Sequence, residues 1–451
     1  MSDGGVVDVQ KFLNAHRFSG FQWLIFALCF AIVFLDGFDT AAIGYIAPAL
    51  VSEWAVERSA LAPVLTAALF GLSTGAFFAG PLGDRFGRKM VLVGSVFVFG
   101  AACLASAFSG DLVQLIIWRF ITGLGLGAAM PNAVTMMSEY CPDTRRATLT
   151  NTMFCGFPLG AAFGGFLAAW IIPQYGWRSV LLLGGIAPLV LTLLLILFMP
   201  ESIRYMVSSK YPVVRIRGAL QRISRTAANA SSFIMQEKVP VSKTNNGIRI
   251  VLSKPYMIGT FMLWTAYFMG LVIFYSMINW MPVLFKDAGL SQGTAAVITA
   301  LFALGGVWAI LSGWLMDRFS ANLTVAICFA LTALGVWSIG QAGSHVALLA
   351  SMVLIAGVLL NTAQTSLPSL AAAFYPTQGR ATGVAWMMAL GRFGGIAGSF
   401  LVAELARRNL SLSLGQIFTG MAVPGFIAGG ALLVKQFLSR EEKAVYSEAK
   451  L

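Results

Sequence analysis

The stretch Gly80-Pro81-Leu82-Gly83-Asp84-Arg85-Phe86-Gly87-Arg88-Lys89 joins two apolar runs of this chain, and part of it occurs a second time. The second copy, Gly313-Trp314-Leu315-Met316-Asp317-Arg318-Phe319, keeps the first glycine, the leucine, the aspartate, the arginine and the phenylalanine. Two copies of a charged turn, each placed between apolar runs, predict that the chain repeats one structural unit.

A second repeated motif supports the same duplication. Pro142-Asp143-Thr144-Arg145-Arg146-Ala147-Thr148 returns as Pro376-Thr377-Gln378-Gly379-Arg380-Ala381-Thr382, and both motif pairs are separated by nearly the same number of residues. The longest polar interruption lies between the copies. We therefore predict an N-terminal six-helix half over residues 1–200, a cytoplasmic linker loop over 201–254 and a C-terminal six-helix half over 255–451.

The composition places this repeat in a membrane. Hydrophobic residues make up 58% of the chain and charged residues only 11%, against roughly 25% charged residues in soluble domains. About twelve apolar runs are long enough to span a hydrocarbon core, which needs about 20 residues each. They cover residues 22–49, 61–81, 90–108, 112–138, 147–172, 178–199, 256–281, 292–316, 322–341, 345–374, 381–404 and 412–436. The predicted fold class is an all-α membrane protein with twelve transmembrane helices in two pseudo-symmetric halves.

The lysines and arginines indicate the orientation, because cytoplasmic loops retain them preferentially. With the N-terminus inside, 23 of the 30 basic residues fall in cytoplasmic segments and five on the opposite side. We therefore predict a multi-pass protein with both termini in the cytoplasm. The net charge of +12 follows from this topology, and its nearest partner is anionic membrane lipid rather than nucleic acid.

Two carboxylates, Asp36 and Asp39, lie three residues apart within the first apolar run. A carboxylate near the middle of a membrane helix costs roughly 2.5 to 3.5 kcal/mol, so such residues usually serve a function. Three residues of helix leave the two side chains on one face, and neighbouring carboxylates push one of them toward the neutral form. The pattern indicates a proton-coupling site, and a static ion pair with a buried arginine is the structural alternative.

These strings resemble the major facilitator superfamily over essentially the whole chain. The loop at 80–89, the pattern Arg119-Phe120-Ile121-Thr122-Gly123-Leu124-Gly125 and the stretch Pro200-Glu201-Ser202-Ile203-Arg204 are similar to its signatures. The string DGFDTAAIG at 36–44, together with Gly391-Arg392-Phe393-Gly394-Gly395, resembles the narrower family of bacterial aromatic acid:proton symporters. That resemblance implies proton-coupled uptake of an aromatic carboxylate, such as a hydroxybenzoate, across the bacterial inner membrane by alternating access.

The resemblance also implies which residues matter for transport, and all six positions are present. They are Asp36, Asp39, Asp84, Asp317, Arg119 and Arg392. The two aspartates of the first run are predicted to couple protons. A gate at the cytoplasmic face, away from the ligand, is predicted to contain Asp84, Arg88, Asp317 and Arg318. The second loop departs from the signature at Ser320-Ala321-Asn322, which points to a weaker second gate.

A further group of residues is predicted to bind the substrate. Arg392 offers a planar, fixed positive charge that fits a carboxylate, whereas Arg119 either contacts the substrate or serves packing and coupling. Asn361 and Gln364 lie three apart on one helix face, where buried amides demand partners. Three rings of the seventh run are predicted to stack on the substrate, with a core or lipid-facing role as the alternative: Tyr267, Phe268 and Tyr275.

No set of nucleophile, base and orienting group occurs in the sequence, nor any cysteine and histidine metal spacing or phosphate loop. We therefore expect no enzyme activity, no cofactor and no metal, and we interpret the five cysteines as small core residues. One alternative function is a proton-driven exporter of small organic anions, because Gly156-Phe157-Pro158-Leu159-Gly160 partly resembles the glycine-proline pattern of antiporters, although the spacing differs. A sugar carrier and a membrane receptor for aromatic acids are the remaining alternatives, and ligand-dependent proton flux separates transport from reception.

Overall fold

The computed structural model describes residues 6–224, 231–234, 246–310, 320–342, 345–375, 377–408 and 413–448. Helices make up most of these residues, as the composition predicts. Within the described ranges, eleven helices are long and apolar enough to cross a membrane, which confirms the predicted all-α membrane fold.

The elements follow the apolar runs of the sequence. Up to residue 198 they are β1 (Val6–Asp8), α1 (Val9–Ala15), α2 (Gly20–Trp54), α3 (Ala62–Phe86), α4 (Arg88–Ser106), α5 (Leu112–Tyr140), α6 (Asp143–Phe154), α7 (Gly156–Tyr175) and α8 (Arg178–Phe198). Beyond it they are α9 (Ile203–Ser208), α10 (Val213–Gln221), β2 (Ser232–Ile234), α11 (Asn246–Val251), α12 (Lys254–Asp287), α13 (Gln292–Leu304), α14 (Ala321–Ile339), α15 (Val346–Phe374), α16 (Thr377–Arg408) and α17 (Leu414–Glu448).

One predicted span is interrupted within its length. The apolar run at 292–316 forms α13, and the 3-10 helix Gly305–Ile310 follows it directly. The change begins at Gly305, which packs so closely on α15 that a side chain there would overlap the backbone of Gly357 and Val358. Residues 311–319, the rest of that run, lie outside the described residues.

The chain divides into two compact units. The first contains residues 1–40, 70–160 and 181–241, and the second contains residues 41–69, 161–180 and 242–451. Four helices, α2, α3, α7 and α8, therefore contribute residues to both units. The division into halves at 1–200 and 255–451 stays a prediction from the repeated motifs.

In the first unit, α2 and α7 cross at two glycines. A side chain at Gly37 would overlap the backbone of Phe157, and a side chain at Gly160 would overlap the backbone of Phe34. Such close approach is typical of membrane helices, where small residues allow the backbones to touch. The crossing fixes the middle of α2, where the two predicted proton-coupling acids lie.

We expect Gly160→Ala to destabilise the protein by about 1 to 3 kcal/mol, because the added methyl group forces the backbones of α2 and α7 apart. The melting temperature of the purified protein in detergent measures the effect. Gly94→Ala is the matched control, since nothing lies within 4 Å of a side chain at that position of α4. Equal melting temperatures for the two variants would contradict a tight crossing.

The segment predicted as a linker loop contains secondary structure. Residues 201–254 include α9, α10, β2 and α11. Strand β2 pairs in parallel with β1, with Val6 opposite Ser232, and the helix pattern did not predict this pair. Leu13 of α1 and Leu220 of α10 are buried in one apolar cluster. The N-terminal segment is thus tied to the linker by backbone pairing and by apolar packing.

In the second unit, α12 and α16 pack along a stripe of glycines. A side chain at Gly394 would overlap the carbonyl oxygen of Phe268, and one at Gly398 would overlap that of Val272. At the residue after Gly398, the Ser399 hydroxyl accepts a hydrogen bond from the Asn279 amide at 2.9 Å. The stripe holds α16 against α12 and so fixes the position of the arginine on α16 that the sequence analysis singled out.

Candidate functional site

The two acids of α2 lie in the first unit, and both are buried. The exposed fraction is 3% for Asp36 and 0% for Asp39. The hydroxyl of Thr40, one turn later, donates to Asp36 Oδ1 at 3.4 Å. Because water does not reach these carboxylates, neighbouring protein groups decide whether each one carries a charge.

Arg119 of α5 is the partner of Asp39. Its Nη1 donates to Asp39 Oδ1 at 2.7 Å, and its Nη2 donates to the Asp39 carbonyl oxygen at 3.3 Å. The exposed fractions of the two side chains are 0% and 1%. The structure therefore places Arg119 in a buried ion pair with a predicted proton-coupling acid, and its contact with substrate stays a prediction.

This ion pair is incompletely satisfied. Asp39 Oδ2 and Arg119 Nε are buried and have no hydrogen-bond partner in the described part of the chain. Desolvation offsets much of the attraction within a buried pair, so the pair contributes little to net stability. The unpartnered Asp39 Oδ2 keeps lone pairs that can accept a hydrogen bond or a proton.

A cysteine completes the cluster. Sγ of Cys103 in α4 donates to Asp39 Oδ1 at 3.3 Å, and it also lies 3.6 Å from the carbonyl oxygen of Leu181 in α8. The sequence analysis missed this residue, because a cysteine within an apolar run is normally interpreted as a core residue. Only its position beside Asp39 in the folded protein distinguishes it, and no spacing in the sequence relates the two.

Arg392 lies in the second unit. It follows Gly391, which is packed so closely against the ring of Tyr267 that a side chain would overlap it. The half-buried Arg392 guanidinium is near enough to Tyr267 to interact with its hydroxyl electrostatically. Among the described residues it makes no hydrogen bond and no ion pair. A membrane arginine without an internal counter-charge is suited to receive an anion.

The two amides of α15 take different positions. Gln364 Nε2 donates to the Tyr267 carbonyl oxygen at 3.2 Å, while its Oε1 is buried without a partner in the described residues. Asn361 Nδ2 donates to the carbonyl oxygen of Gly357 on its own helix at 2.8 Å. The structure thus brings Gln364 and Arg392 to the same tyrosine, and the unpartnered Gln364 Oε1 lies against Gly270 of α12.

The three predicted stacking rings lie along α12 and are all half-buried. Tyr267 packs on Gly391 and Tyr275 packs on Gly395, while the backbone of Phe268 rests on Gly394. Helix packing therefore accounts for part of their burial. Their contact with a substrate ring stays a prediction.

The predicted gate is described only in part. Arg88 donates to the Gly83 carbonyl oxygen at 3.0 Å, and its Nε lies 3.8 Å from Oε1 of the buried Glu139, which also binds Ser202. Asp84 lies in α3, but its side chain is not described, and Asp317 and Arg318 fall outside the described residues. Within the described ranges, no group of side chains is arranged to hold a metal ion.

Comparison with known proteins gives a consistent result. The sequence profile of the Major Facilitator Superfamily matches residues 29–399. The chain is 48% identical to the 4-hydroxybenzoate transporter PcaK of Pseudomonas aeruginosa, over 97% of each chain. It is 42% identical to a gallate transporter of Pseudomonas putida, over 95% of this chain and 94% of that protein. A partially occluded, inward-open structure of the xylose transporter XylE from E. coli matches with a TM-score of 0.70 at 19% identity, over 91% of this chain and 98% of that chain.

Proposed function

The chain belongs to the Major Facilitator Superfamily, a family of membrane transporters rather than enzymes, and from this premise we propose that it imports an aromatic carboxylate of the hydroxybenzoate class together with protons. The names of its relatives, a 4-hydroxybenzoate transporter and a gallate transporter, support the substrate class. The coupling to protons rests on the chain's own residues.

The observation that carries the proposal is that two separate sites, one buried and one half-buried, are suited to different roles. The first unit contains the Asp39–Arg119 ion pair, in which one carboxylate oxygen lacks a partner among the described residues. The second unit contains Arg392, a half-buried cation that no described carboxylate neutralises. The first arrangement suits proton uptake and release, and the second suits binding of an anion.

In the proposed cycle, protons enter from outside and reach the pair of acids on α2. The anion binds Arg392, and Gln364 Oε1 accepts a hydrogen bond from a hydroxyl group of the substrate. The halves at 1–200 and 255–451 then rock inward, and loss of the protons inside releases the substrate. Arg119 stabilises the ionised form of Asp39 and so promotes that loss.

The proton is required on energetic grounds. Moving a monoanion into a negative-inside cell costs about 2.3 kcal/mol for each 100 mV of membrane potential. One accompanying proton cancels this cost, and a second proton lets the potential drive accumulation. Two adjacent acids are compatible with either number.

The orientation and location are part of the proposal. The protein is a multi-pass membrane protein, and the distribution of lysine and arginine supports a position in the bacterial inner membrane with both termini in the cytoplasm. This orientation predicts that the two repeated loops, which contain Asp84, Arg88, Asp317 and Arg318, face the cytoplasm. We propose that these four residues gate the inner side.

Asp84→Asn tests the gate. We expect a severe loss of transport rate while the affinity for the aromatic acid changes by less than about tenfold, or roughly 1.4 kcal/mol, because a gating residue does not contact the ligand. Uptake rates and equilibrium binding to the purified variant provide the two numbers. A much larger loss of binding, with the fold intact, would place Asp84 in the substrate site.

The function itself is tested with right-side-out membrane vesicles and radiolabelled 4-hydroxybenzoate. Uptake driven by an imposed inward proton gradient, with alkalinisation of the external medium on adding substrate, is the expected result. A proton-driven exporter would instead expel preloaded substrate under the same gradient, and a receptor would bind it without proton or substrate flux. A panel of benzoate, hydroxybenzoates, gallate and phenylpropionates then identifies the preferred acid.

A further inference from the structure

Cys103 joins the buried ion pair from a third helix. Its side chain is fully buried in α4, and its sulfur lies within reach of Asp39 Oδ1 and of the Leu181 carbonyl oxygen. We propose that the Cys103 thiol is a positioning residue for proton coupling, whose single hydrogen moves between these two acceptors as Asp39 loses and gains its proton. This inference rests on the proposed proton-coupled transport.

The position of the sulfur is fixed by close packing. Gly184 of α8 faces it, and a side-chain carbon at that position would lie 3.1 Å from Sγ and 3.1 Å from the ring of Phe38. Glycine at 184 therefore leaves the space that the thiol occupies. A sulfur held between α2 and α8 can rotate its hydrogen between the two oxygens without moving itself.

Two described ionisable side chains bind the Asp39 carboxylate. They are Arg119 from α5 and Cys103 from α4, while Asp36 lies three residues earlier on the same helix as Asp39. Helix α8 contributes the Leu181 carbonyl oxygen and Gly184 beside the sulfur. The thiol is thus one of two side-chain donors to the carboxylate.

The charge on Asp39 decides which acceptor the thiol prefers. When Asp39 is ionised, a hydrogen bond from the thiol to Oδ1 is charge-assisted and therefore stronger than one to a neutral carbonyl. The incoming proton binds Oδ2, the oxygen without a partner among the described residues. The charge on Oδ1 then falls, and the carbonyl of Leu181 becomes the better acceptor. No covalent bond to sulfur forms or breaks in this exchange.

A donor that stabilises the ionised carboxylate more than the protonated one favours proton release. Removing the thiol should therefore let Asp39 keep its proton to a higher pH. A net hydrogen-bond contribution of ordinary size corresponds to an upward shift of about 0.5 to 1 pH unit.

Infrared spectroscopy of the protein reconstituted in lipid tests this directly. The S–H stretching band of Cys103, identified by its loss in Cys103→Ala, should change position as the pH carries Asp39 through its titration. In Asp39→Asn the same band should no longer respond to pH. The carbonyl band of protonated Asp39, identified by its loss in Asp39→Asn, gives the midpoint of that titration.

We expect Cys103→Ala to move this midpoint up by about 0.5 to 1 pH unit and Cys103→Ser, which keeps a donor, to restore it to within a few tenths of a unit. Cys29→Ala is the matched control, because Cys29 of α2 is equally buried and binds no carboxylate among the described residues. It should leave both bands unchanged.

An S–H band that ignores pH, together with an unchanged midpoint in Cys103→Ala, would show that the thiol is only a core residue. Either variant that fails to fold is replaced by Gly184→Ala, which displaces the sulfur and should shift the same two bands. The spectroscopic readout needs no transport, so its failure is distinct from failure of the proposed function. In the latter case, wild-type vesicles would take up 4-hydroxybenzoate without proton flux or not at all.

Discussion

Asp39→Asn is expected to abolish accumulation of 4-hydroxybenzoate against its gradient, leaving only the level reached in de-energised vesicles. The amide keeps the shape of the carboxylate and can still accept a hydrogen bond from Arg119, but it cannot cycle a proton. Asp36→Asn is expected to have the same effect, because the two acids share one helix face. Exchange of labelled for unlabelled substrate needs no net proton movement and should survive in at least one variant.

Asp111→Asn is the matched control for these substitutions. Asp111 is the N-cap of α5, where its side chain accepts a hydrogen bond from the backbone N–H of Gln114. Asparagine is an equally good N-cap residue. This variant also loses one carboxylate, yet it should accumulate substrate normally. If Asp36→Asn and Asp39→Asn both accumulate substrate like the wild type, a group other than these two acids carries the coupled proton.

Arg392→Ala is expected to weaken binding of the aromatic acid by about 2 to 5 kcal/mol, because the carboxylate is then held away from water without its counter-charge. The neutral amide of the same acid forms no ion pair with Arg392, so its affinity should fall much less. Arg392→Lys keeps the charge but not the planar fork, so it should give an intermediate loss for the acid. Equilibrium binding of both ligands to each variant measures the difference.

Arg119→Ala provides the comparison for Arg392. If Arg119 serves Asp39 and not the substrate, the acid and the amide should lose similar affinity in this variant. The structural cost is a separate quantity, because leaving Asp39 buried without its partner destabilises the fold by roughly 3 to 5 kcal/mol. The opposite result would be a selective loss of affinity for the acid in Arg119→Ala and equal losses for acid and amide in Arg392→Ala. It would mean that Arg119, and not Arg392, binds the substrate carboxylate.

Much of the fold could be predicted from the sequence, because membrane spans are specified locally by their length and apolarity. The early end of α13 coincides with the close packing of Gly305 on α15, a tertiary contact that average hydropathy does not reveal. The pairing of β1 with β2 was not predictable, since three-residue strands far apart in the chain carry no periodic pattern. Long-range contacts of that kind depend on how the intervening helices pack.

The candidate site shows the same limit. Asp39, Arg119 and Arg392 could be predicted as functional residues, because burying a charged side chain in a membrane costs free energy and such residues usually serve a function. The sequence does not show which of these residues form an ion pair. Asp39 and Arg119 are 80 positions apart and meet only because α2 packs against α5. Cys103 was hidden for a different reason, because a small, weakly polar side chain costs little to bury and its sequence context is that of any core residue.

The parallel pairing of β1 with β2 decides where the polypeptide can be divided for complementation. A break within 235–245 leaves both strands and α1 on the N-terminal fragment, so the β1–β2 pair stays within one polypeptide. A break at Ser209-Lys210-Tyr211 transfers β2 and α10 to the other fragment, so the apolar side of α1 loses part of its cover. Co-expressed fragments of the first kind should reassemble into an active carrier, whereas those of the second kind should be degraded or aggregate.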